Sequence, residues 1–131
     1  MKIQWIRVLV GGFLIEVVLA IVLVGGFAAA GVSLDTISTA AAVVIGIGCF
    51  VAAFVVVLWF GRRIDSHLVL HGFLMGLVAT LLYVALVTGS GQMPTALAAY
   101  GPATFVIVNA ARLVGAVLGG VAGERRRATL A

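Results

Sequence analysis

Between Arg7 and Arg62 the chain carries no lysine or arginine, and a second such gap separates Arg63 from Arg112. Acidic residues are as scarce, with Glu16, Asp35, Asp65 and Glu124 the only four. With 64% of its 131 residues hydrophobic and 9% charged, the chain lacks the polar surface of a water-soluble domain, in which roughly a quarter of residues are charged. Lipid must supply the missing cover. The length fits one domain, residues 1–131.

Turn-forming residues break the chain at GGFAAAGVSLDTIST from Gly25 to Thr39, GRRIDS from Gly61 to Ser66, and GSGQMPTALAAYGP from Gly89 to Pro102. Four apolar segments remain, at about 4–24, 39–60, 67–88 and 102–122. Each is near the ~20 residues that span a ~30 Å hydrocarbon core as a helix. Lipid offers no partner to a free N–H or C=O, so uniformly apolar segments of this length must be helices. The expected fold is all-α: an integral membrane four-helix bundle made of two antiparallel helical hairpins. Asp35 or Ser38 can cap the second helix and Ser66 the third, while Pro102 suits the first turn of the fourth. Pro94 can open a short interfacial helix. Trp5, Trp59, Tyr83 and Tyr100 fall near the expected membrane edges, where amphipathic rings prefer to sit. Lys2 and Arg7 before an apolar run, with Ala28-Ala29-Ala30 after it, have the outline of a signal peptide. The length of the run and Glu16 within it favour a retained helix.

Lys2, Arg7, Arg62, Arg63 and Arg125 to Arg127 all fall on one side of such a bundle, and the opposite connections hold no lysine or arginine. By the positive-inside rule both termini and the middle turn are cytoplasmic, in the inner (plasma) membrane. The net charge of +4 is thereby explained as topology, and no nucleic-acid partner is expected. Glu124-Arg125-Arg126-Arg127 adds at most weak attraction to anionic lipid, since specific lipid clusters use four to eight basic residues.

Glu16 and Arg112 are the ionisable side chains deep within their segments. Glu16 lies eleven residues beyond Trp5 and Arg112 eleven before Gly123, about 16 Å from the cytoplasmic edge at 1.5 Å per residue. Either charge alone costs roughly 2.5–3.5 kcal/mol at the membrane centre, so the two are expected to face each other where the first and fourth helices pack. Asn109, one turn from Arg112, can donate to Glu16 or line the same polar site. Small residues accompany both, Gly12 and Ala20 beside Glu16 and Gly115, Ala116 and Gly119 beside Arg112. Further small-residue stripes place Gly46 on the second helix and Gly72 and Gly76 on the third, where they are expected to permit close helix packing.

Other chemistry is thin. His67 and His71 have the i, i+4 spacing of a metal or proton site but lack a third ligand, so no metal is expected. Cys49 has no base or cation near it in sequence and reads as a small buried hydrophobe. No nucleophile with a base, no triad and no paired carboxylate is present, so neither an enzyme nor a cofactor is expected.

The stretches GRRIDSHLVLHGFLMGLVATLLY and LVGAVLGGVAGERRR resemble small four-helix bacterial inner-membrane proteins, in which an arginine-rich turn leads into a glycine-bearing third helix. That resemblance implies a bacterial inner-membrane location and no activity. GGFLIEVV is similar to the first helix of the small multidrug resistance transporters, with Glu16 at the position of their coupling glutamate. Those transporters have weak charge bias and a free glutamate, whereas this chain has a one-sided bias and Arg112. The sequence favours a structural or accessory bundle that packs with itself, as a homo-oligomer, or with a larger membrane partner in the lipid bilayer. The alternative is a small proton- or ion-coupled transporter using Glu16 and Arg112.

Orientation is testable by cysteine labelling in intact cells. Cysteines introduced at Ser33 and Ser90 should react with an impermeant reagent, and one at Ser66 should not; labelling at Ser66 inverts the assignment.

Overall fold

A computed structural model of the protein describes residues 3–30, 38–65 and 67–130. The helices are α1 (Trp5–Ala30), α2 (Thr39–Phe60), α3 (Leu68–Gly89), α4 (Met93–Tyr100) and α5 (Pro102–Leu130), with a 3-10 turn at Gly61–Arg63. By length and composition α1, α2, α3 and α5 are all candidate membrane spans. Ile6, Phe13 and Ile21 on α1, Val43 and Ile47 on α2, Leu81 on α3, and Val106 and Ile107 on α5 are exposed. Large side chains this apolar, turned outward on every long helix, suit a lipid surrounding.

Two helices outrun their expected ends. α1 continues past position 24 to Ala30, and α5 continues past position 122 to Leu130. Gly25-Gly26 and Gly123 stop neither, because a glycine inside a helix costs only about 1 kcal/mol and good helix formers follow in both cases. Gly123 also has a packing role, since a Cβ there would lie 3.0 Å from Leu68 Cδ1.

Ser38 caps α2, its hydroxyl accepting from the Ala41 N–H at 3.2 Å. Asp35 and Ser66, the other expected caps, lie outside the described residues. α3 starts differently: His67 enters it in the left-handed region at φ 52° and makes no side-chain cap. Glu124 of α5 serves there instead, accepting from the Val69 N–H at 3.3 Å and placing negative charge at the positive end of the helix. Pro94 lies in the first turn of α4, and Gly101 at φ 72° lets the chain turn from α4 into α5.

The neighbours run α1–α2–α5–α3 around the bundle. Each hairpin packs on itself, α1 on α2 and α3 on α5, yet the most extensive seam joins α2 to α5 across the hairpins. α1 and α5 therefore face each other diagonally, which corrects the expectation that the first and last long helices pack directly. Missing side chains make the seams. Gly115 lies against the Phe50 carbonyl and Gly119 against that of Phe54, where a Cβ would come within 2.6 Å of the oxygen. A Cβ at Gly72 would lie 2.5 Å from the Ala116 carbonyl oxygen, and one at Gly76 2.8 Å from the Ala116 Cβ. Gly120, not singled out by the sequence, meets the Leu68 carbonyl at 2.6 Å by the same measure. On α1, Gly12 sits against Val78, and Gly11 against Met75. Gly46 is looser, with only Val108 Cγ2 nearby at 3.9 Å.

The arginine-bearing end is tied by polar contacts. Arg127 donates to the Gly61 carbonyl at 2.8 Å and to that of Ile64. Arg7 pairs with Asp65 at 3.3 Å and donates to the Arg63 carbonyl, while Gln4 donates to Asp65 at 2.9 Å. The Gln4 hydrogen bond, then the Arg7 charge, hold the Asp65 carboxyl below its usual range. His71, fully buried, accepts at Nε2 from the Gln4 N–H at 3.1 Å, an otherwise free donor at the start of α1. Its Nδ1 lies 2.9 Å from the His67 carbonyl and must carry the hydrogen. With both nitrogens committed to backbone, His71 is not free to share a metal or proton path with His67.

The seams predict unequal tolerance. Gly119→Leu should lower stability in detergent by at least ~1–3 kcal/mol, as overpacking does, and Gly46→Ala should change it little. Thermal unfolding of the two variants checks this, and equal melting temperatures would remove the distinction.

Candidate functional site

Arg112 is the centre of the site. Its position on α5, between Gly115 and Asn109 on the face that meets α2 and α3, carries the side chain into the bundle, where it is 4% exposed. Nη1 lies 3.1 Å from Glu16 Oε1, so the two charges meet although their helices are diagonal. The long arginine side chain closes the gap. Glu16, 15% exposed, reaches the pair from α1 next to the fully buried Ile15.

Every long helix contributes. Asn109 Oδ1 accepts from Arg112 Nη1 at 3.3 Å, and its amide donates to the Phe105 carbonyl at 2.8 Å. Asn109 thus serves Arg112 and makes no hydrogen bond to Glu16 among the described residues. From α2, Cys49 Sγ lies 3.9 Å from Nη2, so this buried thiol does have a cation beside it, which sequence neighbours could not reveal. From α3, the Tyr83 ring stacks on the guanidinium with Cζ 5.0 Å from its centroid, and meets the Phe105 ring at 5.9 Å. The sequence placed Tyr83 near a membrane edge; its ring turns inward to Arg112. The cation–π attraction there is worth roughly 0.5–2 kcal/mol.

The pair is only partly satisfied. Glu16 Oε1 has no hydrogen bond aligned on it and Arg112 Nε has no acceptor among the described residues. Thr80 Oγ1 is a third buried polar atom without a partner.

A cavity of about 500 Å³ reaches this pair. Glu16, Arg112 and Tyr83 line it together with Leu19, Leu23, Phe27, Leu86 and Val87, and Ser90 and Gln92 border it beyond the end of α3. Apart from Glu16 itself, the α1 and α3 residues that line it belong to the C-terminal halves of those helices. The reason is visible in the glycines: Gly11 and Gly12 hold the N-terminal halves in tight contact, whereas Gly25 and Gly26 have nothing within 4 Å. The cavity on the ion pair thus opens away from the arginine-bearing end.

Comparison of the chain with protein-family profiles, curated proteins and solved structures returns no match.

Breaking the pair from one side strands a charge. With the pair kept dry, Glu16→Gln or Arg112→Leu alone should destabilise the bundle by about 3–5 kcal/mol, and by less where the cavity admits water to the stranded charge, whereas Glu16→Leu with Arg112→Leu should be milder. Unfolding of the three variants in matched detergent tests this, and single mutants as stable as the parent would show the pair to be uncoupled.

Proposed function

We propose that this protein is a small multi-pass membrane carrier in which Glu16 and Arg112 form a binding site, with Asn109, Cys49 and Tyr83 holding the arginine in place. The observation that carries this reading is the cavity of about 500 Å³ ending on the ion pair. A pair serving only to fix helix register has no use for an access path, and a dry, fully packed pair would be the better structural element. A site with apolar walls and a few convergent polar groups, of a volume within the ~300–1,000 Å³ of ligand pockets, is the usual form of a small-molecule site. Intramembrane ionisable residues commonly mark such pathways.

On the positive-inside argument, the hollow end faces away from the cytoplasm and the sealed end toward it, in a bacterial inner membrane. Passage then requires the seal around His71, Arg127 and the glycine seams to loosen in a second state. Four helices enclose little volume, so association with a second copy or a larger membrane partner belongs to this reading. The competing reading, a structural or accessory bundle, draws its support from the glycine seams alone.

Reconstitution into vesicles under an imposed pH gradient tests the proposal. Proton-coupled flux that disappears in Glu16→Gln supports it. Absence of flux with every small-molecule class tried, together with normal cell growth on the Glu16→Leu, Arg112→Leu double variant, leaves the structural bundle as the better account.

A further inference from the structure

We infer that the cavity takes an organic anion made of one planar carboxylate on an apolar body, which binds Arg112 while Glu16 takes up a proton. The inference rests on the reading of the cavity as a ligand site and names the ligand class.

A guanidinium offers five N–H donors in one plane and stays charged at any accessible pH. Here Asn109 takes one donor at 3.3 Å, Cys49 Sγ is a weak acceptor at 3.9 Å, and Nε has no acceptor among the described residues. Glu16 supplies charge at 3.1 Å without an aligned hydrogen bond. A side chain 96% buried thus borders an open cavity with one donor, Nε, still without an acceptor among the described residues. A carboxylate is the ligand group that matches a guanidinium edge with two parallel hydrogen bonds. Tyr83 places its ring 5.0 Å from Cζ and lines the same cavity. The remaining walls, Leu19, Leu23, Phe27, Leu86 and Val87, ask for an apolar body.

Charge balance gives the second half. The bundle interior holds one guanidinium against one carboxylate, and a ligand carboxylate makes two. Two carboxylates on one buried cation cannot both stay ionised at low cost, so one proton enters with the anion. Glu16, bordering the cavity, receives it from water at the open end. The groups facing Glu16 are Arg112 of α5 and Tyr83 of α3; Cys49 of α2 stands on the other amine of Arg112. None of these is positioned to take the proton in its place, since a tyrosine and a thiol are already protonated at neutral pH and arginine stays charged. Anion and proton together are neutral, which removes the net charge from the membrane crossing.

The experiment compares three eight-carbon probes, octanoate, octylamine and octanol, on purified full-length protein in a non-ionic detergent. Octanoate should bind, and the other two should bind at least tenfold more weakly. Between pH 7.5 and 6 the octanoate Kd should fall about tenfold per pH unit, the dependence of one proton taken up per ligand. Glu16→Gln, if it folds, should bind octanoate more tightly than the parent at pH 7.5 and lose the pH dependence. Equal binding of the three probes, or wild-type octanoate binding that does not change with pH, overturns the inference, and the wild-type titration decides this even if the variant fails to fold. Octanoate binding without any flux would leave the ligand assignment standing and remove the carrier reading. Proton-coupled flux without octanoate binding does the opposite.

Discussion

A guanidinium that cannot give up its proton sits inside a bundle whose surface is apolar, and the arrangement of the other helices answers to it. Glu16 of α1 supplies the opposite charge, Cys49 of α2 lies against one amine, the Tyr83 ring of α3 lies 5.0 Å from Cζ, and Asn109 holds the other amine from the same helix. Removing any one long helix would open Arg112 to hydrocarbon on that side. The helix order α1–α2–α5–α3 sets Glu16 diagonally across the bundle from Arg112, with α2 and α3 on either side.

The two ends of the bundle differ for a separate reason. Lipid is as apolar as leucine, so helices in it hold together by close packing rather than by a hydrophobic force. Glycines provide that approach along α5 and in the first half of α1, and no glycine does so in the second half of α1. The hollow is the direct result. It leaves the ion pair accessible from one side and backed by dense packing, the His71 cap and the Arg127 hydrogen bonds on the other.

Much of this was legible in the sequence, and the unread part has identifiable causes. The four spans follow from lipid's intolerance of free backbone groups, so their number and centres are fixed by apolar length. Their ends are not, because Gly25-Gly26 and Gly123 read as breaks by composition and are absorbed by α1 and α5. Glu16 and Arg112 were visible as lone charges at one depth, but depth carries no information about which helices are neighbours. The diagonal arrangement was out of reach for that reason. Tyr83 was misplaced because a tyrosine near a helix end fits the interface equally well, and only the partner helix decides whether its ring turns inward. Glu124 as the cap of α3 lies 55 residues from the N–H it serves, beyond any local pattern.

The glycine seams also divide the molecule into positions that genetics can and cannot repair. Gly11 and Gly76 meet the Met75 side chain and the Ala116 methyl as their nearest atoms, so enlarging either can be offset by a smaller partner at a second site. Gly72, Gly115, Gly119 and Gly120 meet backbone carbonyls, which every residue carries. No change of side-chain identity opposite them creates room. Second-site suppressors of a lesion at these four positions must therefore come from a shift of a whole helix, and that shift would move α5, with Arg112, relative to α2 or α3. The seal at one end and the site in the middle are for this reason a single inherited unit.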